Sequence, residues 1–307
     1  MRDLQMTQMF VSFLQHLDEK GLDPRTIDNY KATWSKFGKW MIQSDPELRD
    51  PGLATQKDIA DYKRYMLDHG GRNGNPAKPS TMQLTFVHLN AIFNFFATRK
   101  CIPDNPVGPV QKPPAARRTP KWLTKNEHNK LLREVRKGGS KREYAIIVVL
   151  LNVGLRAHEL CDLPATELTL NSRSGKVYIR GKGYKDREVP LNSEARSALE
   201  SYLGDRPLDE PYVFSSQRSK KMSVRGVQHI VEKYRERTKI EHLNCHSLRH
   251  TFGHDLATAN PPVPLDRVAT LMGHFKEDGS PNIEMTMIYT TPGVEDLEAA
   301  VESISWT

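Results

Sequence analysis

Five short patterns in the second half of this chain carry residues able to handle a phosphate ester. The first is GLRAHEL, residues 154–160, where Arg156 follows a glycine and Glu159 lies one helical turn on. A guanidinium placed there can fork onto two phosphate oxygens, and the carboxylate can hold it; a plain surface ion pair at helical spacing is the simpler alternative. The second is RGKGYKDR, residues 180–187, with Lys182 between glycines at the tip of a turn. An ammonium there is either a solvated charge or one that reaches a leaving oxygen in a groove. The third is HSLRHTFGHD, residues 246–255, in which His246, Arg249 and His250 share one helical face that His254 continues. The H-x-x-x-H spacing suits two zinc ligands on one helix. However, Ser247 stands where HExxH needs its glutamate, and Arg249 would repel a cation, so an anion site is the alternative. The fourth is LMGH, residues 271–274, whose glycine lets a helix end and His274 turn inward. The fifth is Tyr289 in EMTMIYT, one of ten tyrosines, most of which serve as core or rim residues.

The elements that must position these residues are mostly helical. Residues 6–19 place Phe10, Phe13, Leu14 and Leu17 on one face. Asp23 before Pro24 opens a helix carrying Tyr30, Trp34, Phe37 and Met41. Thr55 and Asp58 form a capping box ahead of Ile59, Tyr62 and Met66. After the loop 70–80, Ser80 or Thr81 caps a helix with Leu84, Val87, Ala91, Ile92, Phe95 and Phe96. These four helices predict a small bundle over residues 1–105. Residues 106–123 hold five prolines, together with Lys112, Arg117, Arg118 and Lys121, and predict an extended basic linker. Thr124 and Glu127 form the capping box that opens a second domain, 124–307.

In that second domain, residues 143–153 are a fully apolar run that fits a buried helix or a buried strand. Gly154 suits the left-handed position after a helix. Residues 176–180 and 187–191 predict two strands joined by a turn. Helices are expected at 193–203, 223–237, 247–258 and 264–273. An amphipathic tail, 294–307, carries Val294, Leu297, Val301 and Ile304. The expected fold class is mainly α with a small β-hairpin or sheet, in two domains.

Composition narrows the partners. The chain of 307 residues has 45 Lys and Arg against 37 Asp and Glu, a formal charge of +8. That balance fits a polyanion. No run of eighteen apolar residues is present and the N-terminus has no signal-peptide pattern, so a cytoplasmic location is expected. Three widely spaced cysteines suggest no disulfide framework.

Taken in order, GLRxxEL, GKGxKxR, HxLRH, LMGH and TxxYT resemble the tyrosine recombinases, also called phage integrase-like site-specific recombinases, over the whole chain. The resemblance implies an N-terminal helical core-binding domain and a larger mixed α/β catalytic domain. It implies cleavage and rejoining of DNA through a 3′-phosphotyrosine at Tyr289, with a Holliday junction formed by a synaptic tetramer on double-stranded recombination sites. Arg156 and Arg249 are then expected on the non-bridging oxygens, with a hydrogen bond from His274. His246 is the expected proton acceptor supported by His250, and Lys182 the acid for the departing oxygen, with Glu159 holding Arg156. Tyr184 and Tyr234 are poorer alternative nucleophiles. No metal or nucleotide cofactor is expected. The expected DNA contacts are Arg117, Arg118, Lys121, Lys185, Arg187, Arg218, Lys220, Lys221 and Arg225. The simpler Xer-like or transposon-encoded type is favoured, with action at the nucleoid. A type IB topoisomerase-like enzyme, a catalytically inactive DNA-binding relative and a zinc hydrolase are the alternatives. The stretch from His274 to Tyr289 is longer than this pattern by about half a dozen residues, with FKEDGSP as the added loop. That leaves open whether Tyr289 serves its own subunit or a neighbour.

Overall fold

The computed structural model describes residues 8–44, 50–110, 120–181, 185–206, 210–216, 219–290 and 301–302. Lys112, Arg117, Arg118, Lys182, Tyr184, Arg218 and most of the tail at 294–307 lie outside the described residues. The chain divides into two compact units, Met1–Arg118 and Thr119–Thr307.

The first unit is helical: α1 (Gln8–Glu19), α2 (Pro24–Ser44), α3 (Gln56–Asp68) and α4 (Pro79–Thr98). The Thr55–Asp58 capping box forms as its sequence requires. Trp34 anchors the core, stacked on Phe10 with centroids 4.9 Å apart and edge-on to Phe96 at 5.7 Å. α4 departs from the expected reading in two ways. It begins at Lys78 with Pro79 in the first turn, so neither Ser80 nor Thr81 is its cap. Its buried face is Met82, Phe86, Leu89, Ile92, Phe93 and Phe96, while Leu84 and Val87 face outward at 53% and 44% exposure. Apolar residues surround this helix nearly evenly, so contact with the α2 aromatics, and not periodicity, selects the inner face.

The second unit begins with α5 (Lys125–Gly138), capped by Thr124 and Glu127, followed by α6 (Lys141–Asn152). The apolar run is therefore a helix. Every residue from Ala145 to Leu151 is buried, and each large aliphatic chain so buried contributes roughly 1.5–3 kcal/mol. α7 (Ala157–Asp162) follows, then an antiparallel sheet of β1 (Leu168–Leu170), β2 (Gly175–Ile179) and β3 (Arg187–Pro190) in sequence order. Val177 pairs with Val189 in the buried register. The remaining elements are α8 (Ser193–Leu203), α9 (Val224–Thr238), α10 (Cys245–Ala257), α11 (Leu265–Met272), α12 (Ile283–Thr286) and a closing 3₁₀ turn, Met287–Thr290. The predominantly helical chain with its small sheet has the expected fold class. No helix among the described residues is long and apolar enough to cross a membrane.

Candidate active site

Two left-handed glycines place the charged groups. Gly154 follows α6 at φ +65°, and a Cβ there would meet the Phe252 ring at 2.2 Å. The chain can turn there only without a side chain. The turn buries Leu155 and makes Arg156 the residue before α7. Gly273 ends α11 at φ +65°, where a Cβ would lie 2.7 Å from the Arg187 guanidinium. The His274 N–H closes the helix by bonding the Ala269 carbonyl at 2.9 Å.

Glu159 lies at the centre and is 9% exposed. One of its oxygens accepts from the Arg156 N–H at 2.7 Å and the other from Arg156 Nη1 at 3.0 Å. Arg187 forks onto both oxygens at 2.9 and 2.8 Å. Arg249 Nη1 stands 3.8 Å away. Burial alone would raise this carboxyl, but the hydrogen bonds and charge of Arg187, then those of Arg156, outweigh it and hold the group at about 2.

Three consecutive carbonyls at the end of α11 collect the same three arginines. Leu271 O accepts from Arg187 Nε at 3.0 Å, Met272 O from Arg249 Nη2, and Gly273 O from Arg156 Nη2 at 3.4 Å. A helix C-terminus offers unpaired acceptors and partial negative charge, which suits guanidinium groups. Arg249 also donates to the Gly154 carbonyl at 2.5 Å. Each of its two terminal nitrogens spends one proton on a carbonyl, which leaves one proton on each. Burial and the neighbouring Arg156 lower Arg249 to about 10, so it stays charged at neutral pH.

Arg187 was expected to touch a nucleic-acid backbone. It does not: its side chain is 2% exposed and locked on Glu159, because β3 points it into the sheet's buried face. Of the other expected DNA contacts, Lys121, Lys220, Lys221 and Arg225 are exposed and Lys185 is half-buried. Lys221 pairs with Asp162 and lies over the Tyr212 ring.

Tyr289 is 1% exposed, packed on Gly253 and parallel to the His274 ring, with centroids 5.9 Å apart. Its hydroxyl lies 3.2 Å from His250 Nδ1. Burial raises the phenol, and the Arg249 and Arg156 charges pull it partly back. His250 is brought to about 4, by burial first and then by the charges of His246 and Arg249, so it is neutral and able to take a proton. His246 is exposed, its ring 6.3 Å from that of His250. The imidazole on the tyrosine is therefore His250, not the expected His246. His254 stacks on Trp122 at 4.2 Å instead of joining the site. Tyr234 bonds Glu143 at 2.6 Å, with its hydroxyl spent there.

The added loop closes on itself. Phe275 bridges Pro281, Lys276 N–H bonds the Ser280 carbonyl at 2.8 Å, and Asn282 N–H bonds the His274 carbonyl at 2.7 Å. The excursion returns to its start, and Tyr289 lies beside His250 and His274 of the same chain.

Residues 121–295 match the model of the phage integrase family. The chain belongs to the phage integrase family. Among relatives, the tyrosine recombinase XerC of Caldanaerobacter subterraneus subsp. tengcongensis is 32% identical over 98% of this chain and 88% of its own. XerD of Shewanella oneidensis is 30% identical over 91% and 90%. In fold, this integrase family member is similar to the XerH site-specific recombinase solved with palindromic difH substrate after cleavage, with a TM-score of 0.71 at 20% identity over 95% of this chain and 83% of that one. The resemblance carried by the five motifs thus extends through both units, and the chain is a tyrosine recombinase.

Proposed function

We propose that this tyrosine recombinase acts on pairs of double-stranded DNA sites, with Tyr289 as nucleophile and Arg156 and Arg249 on the two non-bridging oxygens of the scissile phosphate. The observation that carries this reading is the meeting of both guanidiniums at the Glu159 carboxylate, with the Tyr289 hydroxyl held by a neutral imidazole beside them. Tyr289 Oη attacks phosphorus and its proton passes to His250 Nδ1, with His246 next along the same helix. The bond to the 5′ oxygen breaks, and Lys182 supplies the proton that oxygen needs. Charge developing on the phosphorane meets arginines already fixed by Glu159 and the α11 carbonyls, so little reorganisation is required. One ester replaces another, which makes the step reversible without a nucleotide cofactor. A second duplex's 5′ hydroxyl then attacks the phosphotyrosine. Repetition on the other strand pair resolves a Holliday junction within a tetramer, at the nucleoid. Lys121, Lys220 and Arg225 add phosphate contacts, so affinity falls with salt.

Duplex sites selected from random-sequence DNA by binding, cloned as a pair in one plasmid, test this. The expected result is recombinant product with a covalent 3′-phosphate adduct mapped to Tyr289. Relaxed plasmid without recombinants would instead make the chain a nicking–closing enzyme. Gly253 gives a finer check. A Cβ there would lie 2.8–2.9 Å from the Tyr289 ring, so Gly253→Ala should tilt the nucleophile. Cleavage is expected to slow by about 10- to 100-fold, with DNA affinity in a gel-shift assay unchanged.

A further inference from the structure

Thr286 is completely buried, one turn before Tyr289, and its hydroxyl makes two contacts. Oγ1 donates to the Asn282 carbonyl at 2.8 Å and lies 3.1 Å from His274 Nδ1. A hydroxyl has one proton. The carbonyl has none to offer, so the first contact uses the Thr286 proton. The second contact then exists only when Nδ1 itself carries a hydrogen. A neutral imidazole holds one ring proton, which leaves Nε2 as a bare lone pair. His274 is neutral: burial pushes it to about 3, followed by the charges of Arg249, Arg156 and Arg187 and then by His250. These groups reach it from α10, the start of α7 and β3. Glu159 lies among the guanidiniums, and the Tyr289 ring stacks on it from the closing turn.

We propose that Thr286 is a positioning residue that fixes His274 as the Nδ1–H tautomer, so that Nε2 is unprotonated in the resting site and takes a proton from solvent when the phosphate docks. The docking step rests on the recombinase reading; the tautomer does not. A lone pair in the field of the Arg249, Arg156 and Arg187 charges is electrostatically favoured, and an incoming phosphate reverses that preference. The imidazolium formed then donates Nδ1–H to Thr286 and Nε2–H to a non-bridging oxygen. Because Thr286 and Tyr289 belong to one short segment, withdrawal of the nucleophile removes the tautomer lock as well.

Nitrogen NMR of ¹⁵N-histidine-labelled protein without DNA tests the lock. The His274 signals can be identified by their loss in His274→Asn. A protonated Nδ1 and a bare Nε2 are expected in the wild-type protein; the reverse pattern overturns the proposal. Thr286→Val should shift the ring toward the Nε2–H form and Thr286→Ser should restore it, whereas an unchanged tautomer in the valine variant would count against the role. In DNA cleavage, the wild-type rate should fall as rising pH removes the imidazolium. That limb should be lost in Thr286→Val, where a neutral Nε2–H donates without proton uptake, and return in Thr286→Ser. Identical limbs in all three proteins would also overturn the proposal. Failure of the wild-type protein to cleave any DNA would defeat the recombinase reading and leave the NMR result standing on its own.

Discussion

Tyr289→Phe is expected to abolish the covalent protein–DNA adduct, with strand cleavage reduced by at least ~10⁴-fold, while DNA affinity stays at the wild-type level. The substitution removes one oxygen and keeps the ring. The packing on Gly253 and the stack on His274 therefore survive, and only the 3.2 Å contact to His250 Nδ1 is lost. One half-buried hydrogen bond is worth about 1 kcal/mol, too little to unfold the unit. Denaturing gels of protein incubated with labelled DNA measure the adduct, and gel shifts measure affinity. An adduct from the phenylalanine variant would move the nucleophile elsewhere. Tyr234 is a poor substitute because its hydroxyl is committed to Glu143.

Glu159→Gln should be the most damaging change among residues that never touch the scissile bond. The carboxylate faces three guanidiniums gathered at one helix end and offsets one of their three charges, and an amide would aim its own N–H donors at some of them. The folded-state value of about 2 lies below the ordinary 4.5. A carboxyl depressed in the folded state stabilises the protein fully above its unfolded value and loses that contribution as pH falls toward the folded one. Here the window runs from about 4.5 down to about 2, and the difference amounts to roughly 3 kcal/mol at pH 7. Urea unfolding followed by circular dichroism should show Glu159→Gln less stable by that amount at pH 7. The gap should narrow as pH drops through the window. A constant gap from pH 7 to pH 3 would mean that packing, and not charge, is what Glu159 supplies. Cleavage should fall too, because Arg156 loses the partner that orients it.

Much of the fold was legible in local sequence. The Thr55–Asp58 and Thr124–Glu127 caps, the proline start of α2, the limits of α8 and the left-handed Gly154 depend on contacts within a few residues, which spacing encodes. β1 was missed because three residues carry too little alternation to read, and α7 because a six-residue helix completes fewer than two turns. The α4 face was misassigned because an evenly apolar helix has no strong side to choose.

The candidate site divides in the same way. Residue types in order (Arg156, the HxLRH pair of histidines with Arg249, His274 and Tyr289) carried the resemblance that named the family, and they suit ester exchange on phosphorus, which uses cations, a proton acceptor and a nucleophile. Only the folded chain decided which groups meet. Arg187 became a buried clamp because the fold brings against it a carboxylate of α7, 28 positions earlier in sequence. His250 displaced His246 at the tyrosine because the rotation of α10 against the closing turn is set by packing. Thr286 gained a role because the loop after His274 folds back on itself, a closure made by hydrogen bonds that no spacing along the chain specifies.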